Sequence, residues 1–134
     1  MFLFSPAKVM GREPDVTVRV LNQSFITLGI SLDMRYSFHL KIRPGTEEEY
    51  DKRHASVWDD MKAMLRASGV RNYSIYRDGV DIFGYWECEN LAKTLDAINR
   101  SSINKRWQLY MDDIIMTPAG ERTGIGLMEV FHLD

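Results

Sequence analysis

The run Val70-Arg71-Asn72-Tyr73-Ser74-Ile75-Tyr76-Arg77-Asp78-Gly79-Val80-Asp81-Ile82-Phe83-Gly84-Tyr85-Trp86-Glu87 decides the architecture. Two stretches rich in β-branched and aromatic residues flank Asp78-Gly79, a pair suited to tight turns because glycine accepts positive φ freely. The pattern predicts strands over 70–77 and 80–87 joined as a hairpin. In the first of them Tyr73 and Ile75 share one face, and Asn72, Ser74 and Tyr76 share the other.

Working upstream, Gly69 supplies the left-handed residue that ends a helix. Tyr50, His54, Val57, Trp58, Met61, Met64 and Leu65 recur at helical spacing before it. Thr46 followed by Glu49 reads as a capping box, and Glu47, Glu48 and Glu49 suit the positive end of the helix dipole. Pro44-Gly45 is a turn. Before it Tyr36, Phe38, Leu40 and Ile42 alternate with Ser37, His39 and Lys41, the signature of a half-buried strand. Downstream, Leu91, Leu95 and Ile98 mark a second helix. Helix continues from Ile103 to about Ile115 after a break at Ser101-Ser102. Pro118–Gly126 is a loop, and Leu127–Leu133 is a last strand. The order β-α-β-β-α-β predicts an α+β, ferredoxin-like fold: a four-stranded antiparallel sheet with helices on one face. The other face would be left open, and pairing as a homodimer would cover it.

Residues 1–33 differ from the rest. Ser5-Pro6, Gly11 and Pro14 interrupt them, and the alternation at Val16–Val20 and Phe25–Ile30 makes no convincing strand. A complete small domain is readable over 34–134, so 1–33 is expected to be an extension outside the working fold. At 134 residues, with 45% hydrophobic and 27% charged residues, the chain has the composition of an ordinary soluble domain. Its net charge of −2, without a Lys/Arg cluster, argues against nucleic acid and against an anionic membrane as partners. No apolar run has the length of a membrane span, and Met1-Phe2-Leu3-Phe4 is too short for a signal core. The single cysteine, Cys88, fits a reducing compartment, so the expected location is cytoplasmic.

Among the polar residues His54 stands first, because an imidazole exchanges protons near neutral pH. Tyr50, four residues earlier, shares its helix face. Burial and the neighbouring Arg53 would both lower the His54 pKa. Tyr73 can pack a ring and bond through its hydroxyl, and Trp107 offers a flat apolar wall. Each has a plain structural reading as well: a satisfied histidine at a packed face, and aromatic residues of the core. His39, His54 and His132 show no metal spacing. There is no phosphate loop, dinucleotide fingerprint or Gly-x-Ser-x-Gly elbow. Cys88 lies between Glu87 and Glu89, which would raise a thiol pKa. The pattern therefore favours proton transfer without metal or cofactor, or no chemistry at all.

Glu49-Tyr50, Lys52-Arg53-His54, Val57-Trp58, Gly69, Asn72-Tyr73-Ser74-Ile75-Tyr76, Arg106-Trp107, Tyr110-Met111, Asp113 and the ending Glu129-Val130-Phe131-His132 together resemble the L-rhamnose mutarotase family. The likeness spans about residues 34–134, and Met34 matches the usual start of the family. The resemblance implies interconversion of the α and β anomers of a deoxyhexose, with a monosaccharide as the only small-molecule partner and no cofactor. It implies His54 as proton donor, Tyr50 and Tyr73 as binders of sugar hydroxyls, and Trp107 as a pocket wall. Three features depart from the family. Gln108 stands where a second tryptophan is common and would contact the sugar differently. Ala55-Ser56 and Asp59 replace prolines around Val57-Trp58. The stretch Thr117–Gly124 replaces an Asn-Pro-rich loop. These departures bear on which sugar is preferred, L-fucose being one alternative to L-rhamnose. Small ferredoxin-like monooxygenases acting on aromatics or haem, and a non-catalytic ligand-binding dimer, fit the same architecture.

Overall fold

The computed structural model describes residues 34–117 and 126–134. The expectations for residues 1–33 and for most of the altered loop after Thr117 lie outside the described residues.

Strand β1 (Met34–Lys41) leads to two short helices, α1 (Glu47–Ala55) and α2 (Asp59–Ala67). The hairpin follows as β2 (Arg71–Asp78) and β3 (Asp81–Cys88). Helices α3 (Leu91–Arg100) and α4 (Ser102–Met111) then pack against the same face. The antiparallel sheet runs in the order β1-β3-β2, with β3 central. That is the order a hairpin must take when β1 adds beside its second strand, and the ferredoxin-like plan holds.

Alternation does the sorting. Tyr36, Phe38, Leu40, Ile82, Trp86 and Cys88 point inward and are buried beneath the helices, whereas Phe83 and Tyr76 on the opposite face are exposed. Gly84 lies across from Phe38 in the register. Its missing side chain lets the Phe38 ring lie over the backbone, because a Cβ there would fall 2.1 Å from ring carbons. The predicted break at Ser101 is present. Its N–H donates to the Ile98 carbonyl, ending α3, and its hydroxyl accepts from the Asn104 N–H, starting α4. Gly69 ends α2 with φ +100°, while the Val70 N–H reaches back to the Leu65 carbonyl.

Three expectations are corrected. The helix through His54 is two helices, broken at Ser56–Trp58, where Trp58 has extended backbone (ψ 139°). The break sets a half-buried Trp58 against Trp107 and Tyr110, with ring centroids 5.1 and 5.4 Å away. Thr46 does not cap α1; its hydroxyl donates to the Arg43 carbonyl inside the preceding turn. The fourth strand does not form: among the described residues the sheet has three strands. What replaces it is divided. Ile115 makes an isolated bridge with Ile42, and the Met116 N–H donates to the Lys41 carbonyl, at one end of β1. At the other end the Leu127 N–H donates to the Ser37 carbonyl, and Arg35 forks onto Glu129 at 2.6 and 2.8 Å. Beyond that anchor Met128, Val130, Phe131 and Leu133 are 77–88% exposed, so no local packing draws the segment into the ladder.

Candidate active site

The last turn of α1 carries His54. The imidazole stacks on Tyr50 with centroids 4.1 Å apart and planes 23° from parallel, as their spacing of one helical turn allows. Trp107, one turn into α4, meets the other side of the imidazole edge-on at 5.5 Å and 90°. His54 Nδ1 lies 3.0 Å from the Tyr50 carbonyl oxygen. A carbonyl only accepts, so Nδ1 carries the hydrogen. Nε2 is therefore the nitrogen that takes up or gives off a proton.

Electrostatics follow from this packing. Burial lowers the His54 pKa below its ordinary value, opposed by the Tyr50 carbonyl and by Asp51. Arg53 is not the cause, contrary to the expectation from sequence. Its guanidinium turns away to Asp113 at 2.9 and 3.2 Å, to Glu49 at 3.0 Å and to the Tyr110 carbonyl, and lies 4.4 Å over the Tyr110 ring. It ties the end of α1 to the end of α4 and so fixes His54 relative to Trp107. Sequence reasoning missed this role; the Arg53-to-Asp113 pairing spans 60 residues and has no local signal.

His54, Tyr73 and Trp107 line one open cavity of about 840 Å³, a size in the range of small-molecule sites, about 300–1,000 Å³. Val57, Met61, Leu65 and Val70 give it an apolar side; Arg71, Asn72 and Glu87 give it a polar one. Such a division suits a sugar, whose C–H faces need apolar cover and whose hydroxyls need acceptors and donors. Tyr73 packs edge-on to Phe38 at 6.4 Å. Burial raises its hydroxyl pKa well above the usual phenol value, with Tyr50 and Tyr36 adding in the same direction, so the group stays neutral and can donate. Tyr50 is raised for the same main reason.

Two sequence-predicted residues sit elsewhere. Tyr50 is only 4% exposed and is absent from the cavity wall; it lies behind the imidazole that it stacks on. Gln108 is 1% exposed and donates through Nε2 to Asn104 Oδ1 at 3.2 Å, one turn back along α4. It does not line the cavity. The sequence places Gln108 beside Trp107, but adjacent helix residues point about 100° apart, and this one turns into the core. His39 pairs with Asp81 at 2.8 Å on the exposed sheet face, and His132 with Asp134 at 2.9 Å. Among the described residues no three His, Cys, Asp or Glu side chains gather where they would hold a metal ion, and no helix is long and apolar enough to cross a membrane.

Compared with known families, residues 35–133 match the one described as L-rhamnose mutarotase. The chain belongs to the L-rhamnose mutarotase family. Family members fall close in sequence. The L-rhamnose mutarotase of Bacteroides thetaiotaomicron is 36% identical over 102 residues, covering 75% of this chain and 98% of that protein. That of Listeria monocytogenes is 40% identical over 93 residues, covering 67% and 88%. The crystal structure of the L-rhamnose mutarotase from Formosa agariphila superposes with a TM-score of 0.64 at 27% identity, covering 75% of this chain and 99% of that one. Membership in the L-rhamnose mutarotase family answers the rival monooxygenase reading.

Proposed function

We propose that this protein interconverts the α and β anomers of L-rhamnose by acid–base ring opening and closure, acting as a homodimer. One observation carries the reading: an imidazole locked on its own helix carbonyl through Nδ1, with Nε2 as its exchanging nitrogen, at the wall of a cavity that is half apolar and half polar. In this reading the His54 imidazolium gives its Nε2 proton to the ring oxygen while a base takes the proton of the anomeric hydroxyl. The bond from C1 to the ring oxygen breaks and an aldehyde forms. Rotation about C1–C2 presents its other face, the former ring oxygen attacks it, and the protons return. Such acid–base help is worth about 10²–10⁴-fold. Tyr73 bonds a sugar hydroxyl, Trp107 covers a C–H face or the C6 methyl, and Tyr50 acts through the ring it supports.

The pairing is supported by exposed apolar surface among the described residues. Tyr76 and Phe83 on the open sheet face are 65% and 40% exposed, and the tethered C-terminal run adds Met128, Val130, Phe131 and Leu133 beside the same sheet. A second copy with the same patch would cover both. The extension at 1–33 takes no part in the reaction in this reading, and a cytoplasmic location suits a buried cysteine, Cys88, outside any disulfide.

Saturation-transfer NMR on the anomeric protons tests the activity. Wild-type protein should speed exchange of L-rhamnose more than that of L-fucose, galactose or ribose, and His54→Ala should abolish the effect while leaving the circular dichroism spectrum intact. Undiminished exchange in that variant removes His54 from the mechanism. Sedimentation equilibrium giving a monomer at micromolar concentration removes the homodimer.

A further inference from the structure

Strand β2 carries one residue too many for its partner. Arg71 stands opposite Glu87 and Ser74 opposite Tyr85, so Asn72 and Tyr73 together face Trp86. This is a β-bulge, and Asn72 supplies its left-handed residue with φ +49°. No other non-glycine residue among the described residues has positive φ. Asparagine is among the L residues that tolerate that region best.

The extra residue re-aims the strand. In a regular strand Arg71 and Tyr73 would point to one face. Here Arg71 stays with Glu87 on the outer side, and Tyr73 turns to the inner side, into the cavity wall and against Phe38. The bulge is clasped from across the sheet. Asn72 Nδ2 donates to Glu87 Oε2 at 2.8 Å, and the Tyr85 hydroxyl donates to Glu87 Oε1 at 2.7 Å. The carboxylate is thus held at both oxygens, and Asn72, Tyr73 and Glu87 all border the same cavity.

We propose that Asn72 and Glu87 are positioning residues for Tyr73: their hydrogen bond fixes the bulge that aims the Tyr73 hydroxyl at the sugar. The inference rests on the reading that Tyr73 bonds a sugar hydroxyl. It makes Asn72 and Glu87 determinants of sugar affinity that act at one remove.

A double-mutant cycle tests it, with exchange rates measured by saturation-transfer NMR over a range of rhamnose concentrations. Asn72→Gly keeps the left-handed backbone and deletes the clasp. It should raise KM about three- to tenfold, the worth of one hydrogen bond, with kcat within about twofold. Glu87→Ala should do the same. Glu87→Gln should recover most of the loss, because its carbonyl oxygen accepts from Asn72 while its amide donates to the Tyr85 oxygen. In a Tyr73→Phe background, Asn72→Gly should add less than about twofold, since residues acting through one contact are not additive. An equal effect in both backgrounds overturns the proposal, and so does a Glu87→Gln variant as impaired as Glu87→Ala. Should Asn72→Gly not fold, the Glu87 pair of variants decides by the same cycle. Wild-type protein that accelerates no anomer exchange overturns the mutarotase reading, and this proposal with it; active protein with additive effects overturns this proposal alone.

Discussion

Replacing Arg53 by methionine keeps the length and apolar stem of the side chain and removes the fork that joins α1 to α4. The side chain is 11% exposed, whereas its partners Asp113 and Glu49 are 68% and 46% exposed. That asymmetry sets the magnitude. Once Arg53 is gone both carboxylates hydrate, so the variant leaves no stranded buried charge, and the half-exposed ion pairs themselves are worth only about 0–1 kcal/mol. The larger losses are the charge-assisted bond to the Tyr110 carbonyl, about 1.5 kcal/mol, and the contact with the Tyr110 ring, about 0.5–1 kcal/mol. The total is about 2–3 kcal/mol, or roughly 7–14 °C in Tm for a domain of this size. Acid should narrow the gap by the ion-pair share alone, at most about 1 kcal/mol. The Arg53 guanidinium holds the Asp113 pKa below its ordinary value. A carboxylate whose folded pKa lies below its unfolded value of about 3.9 stabilises the fold above that pH, and the contribution disappears as pH falls through the folded value. Thermal melts followed by circular dichroism, at fixed protein concentration and in steps from pH 7 to pH 3, should therefore show the difference between wild type and Arg53→Met shrinking, without vanishing, at the acid end. A difference under about 0.5 kcal/mol at pH 7, or a gap that does not narrow with acid, would refute the account of Arg53 as the tie between the two helices.

Other perturbations give distinct outcomes. Gly84→Ala forces a Cβ against the Phe38 ring and should cost about 1–3 kcal/mol in urea unfolding, as overpacking does. Because burial lowers the His54 pKa, the unfolded chain takes up that proton first. Stability should fall as pH drops below about 6.5, and His54→Gln should flatten that part of the Tm–pH curve. Gln108→Met, a swap of similar volume inside the core, should leave the ratio of rhamnose to fucose exchange rates within about twofold, since the residue is off the cavity wall; a large change would restore position 108 as a selector.

Much of this was legible in the sequence, for reasons that can be separated. Period-two alternation over Tyr36–Ile42 and the Asp78-Gly79 turn are local signals, and the hairpin stands within one residue of its predicted bounds and β1 within two. His54 against Tyr50 is also a local pair, four residues apart, and its stacking could be anticipated. The break at Ser56–Trp58 could not. Helical periodicity runs through it unchanged, and the contacts that Trp58 makes across the break, with Trp107 and Tyr110, come from far along the chain. The bulge at Asn72 was equally silent, because one extra residue in a strand shows only against its partner's register. Leu127–Leu133 has the composition of a strand, yet strand formation needs an acceptor edge as well as apolar side chains, and β1 supplies this segment with a single backbone bond. The resemblance brings Gln108 to the site as the position of a second tryptophan, and here it lies buried against Asn104.

The helix break has a chemical consequence. By ending α1 at Ala55 it leaves His54 in the final turn, at the negative end of the helix dipole, where a cation is favoured by up to about 2 kcal/mol. The same residue is wedged between Tyr50 and Trp107, where burial favours the neutral ring. The two influences oppose each other; burial lowers the pKa against the pull of the Tyr50 carbonyl and Asp51. A freely solvated imidazole would be a weaker acid, and one buried without any carbonyl or helix end beside it would hardly be protonated at all. In the proposed reaction the imidazolium gives its proton to the ring oxygen as the C1–O bond breaks, and the neutral ring takes it back on closure. Mutarotation is symmetrical, opening and closing the same bond through the same groups, so a group poised to travel both ways serves it better than a strong acid or a strong base.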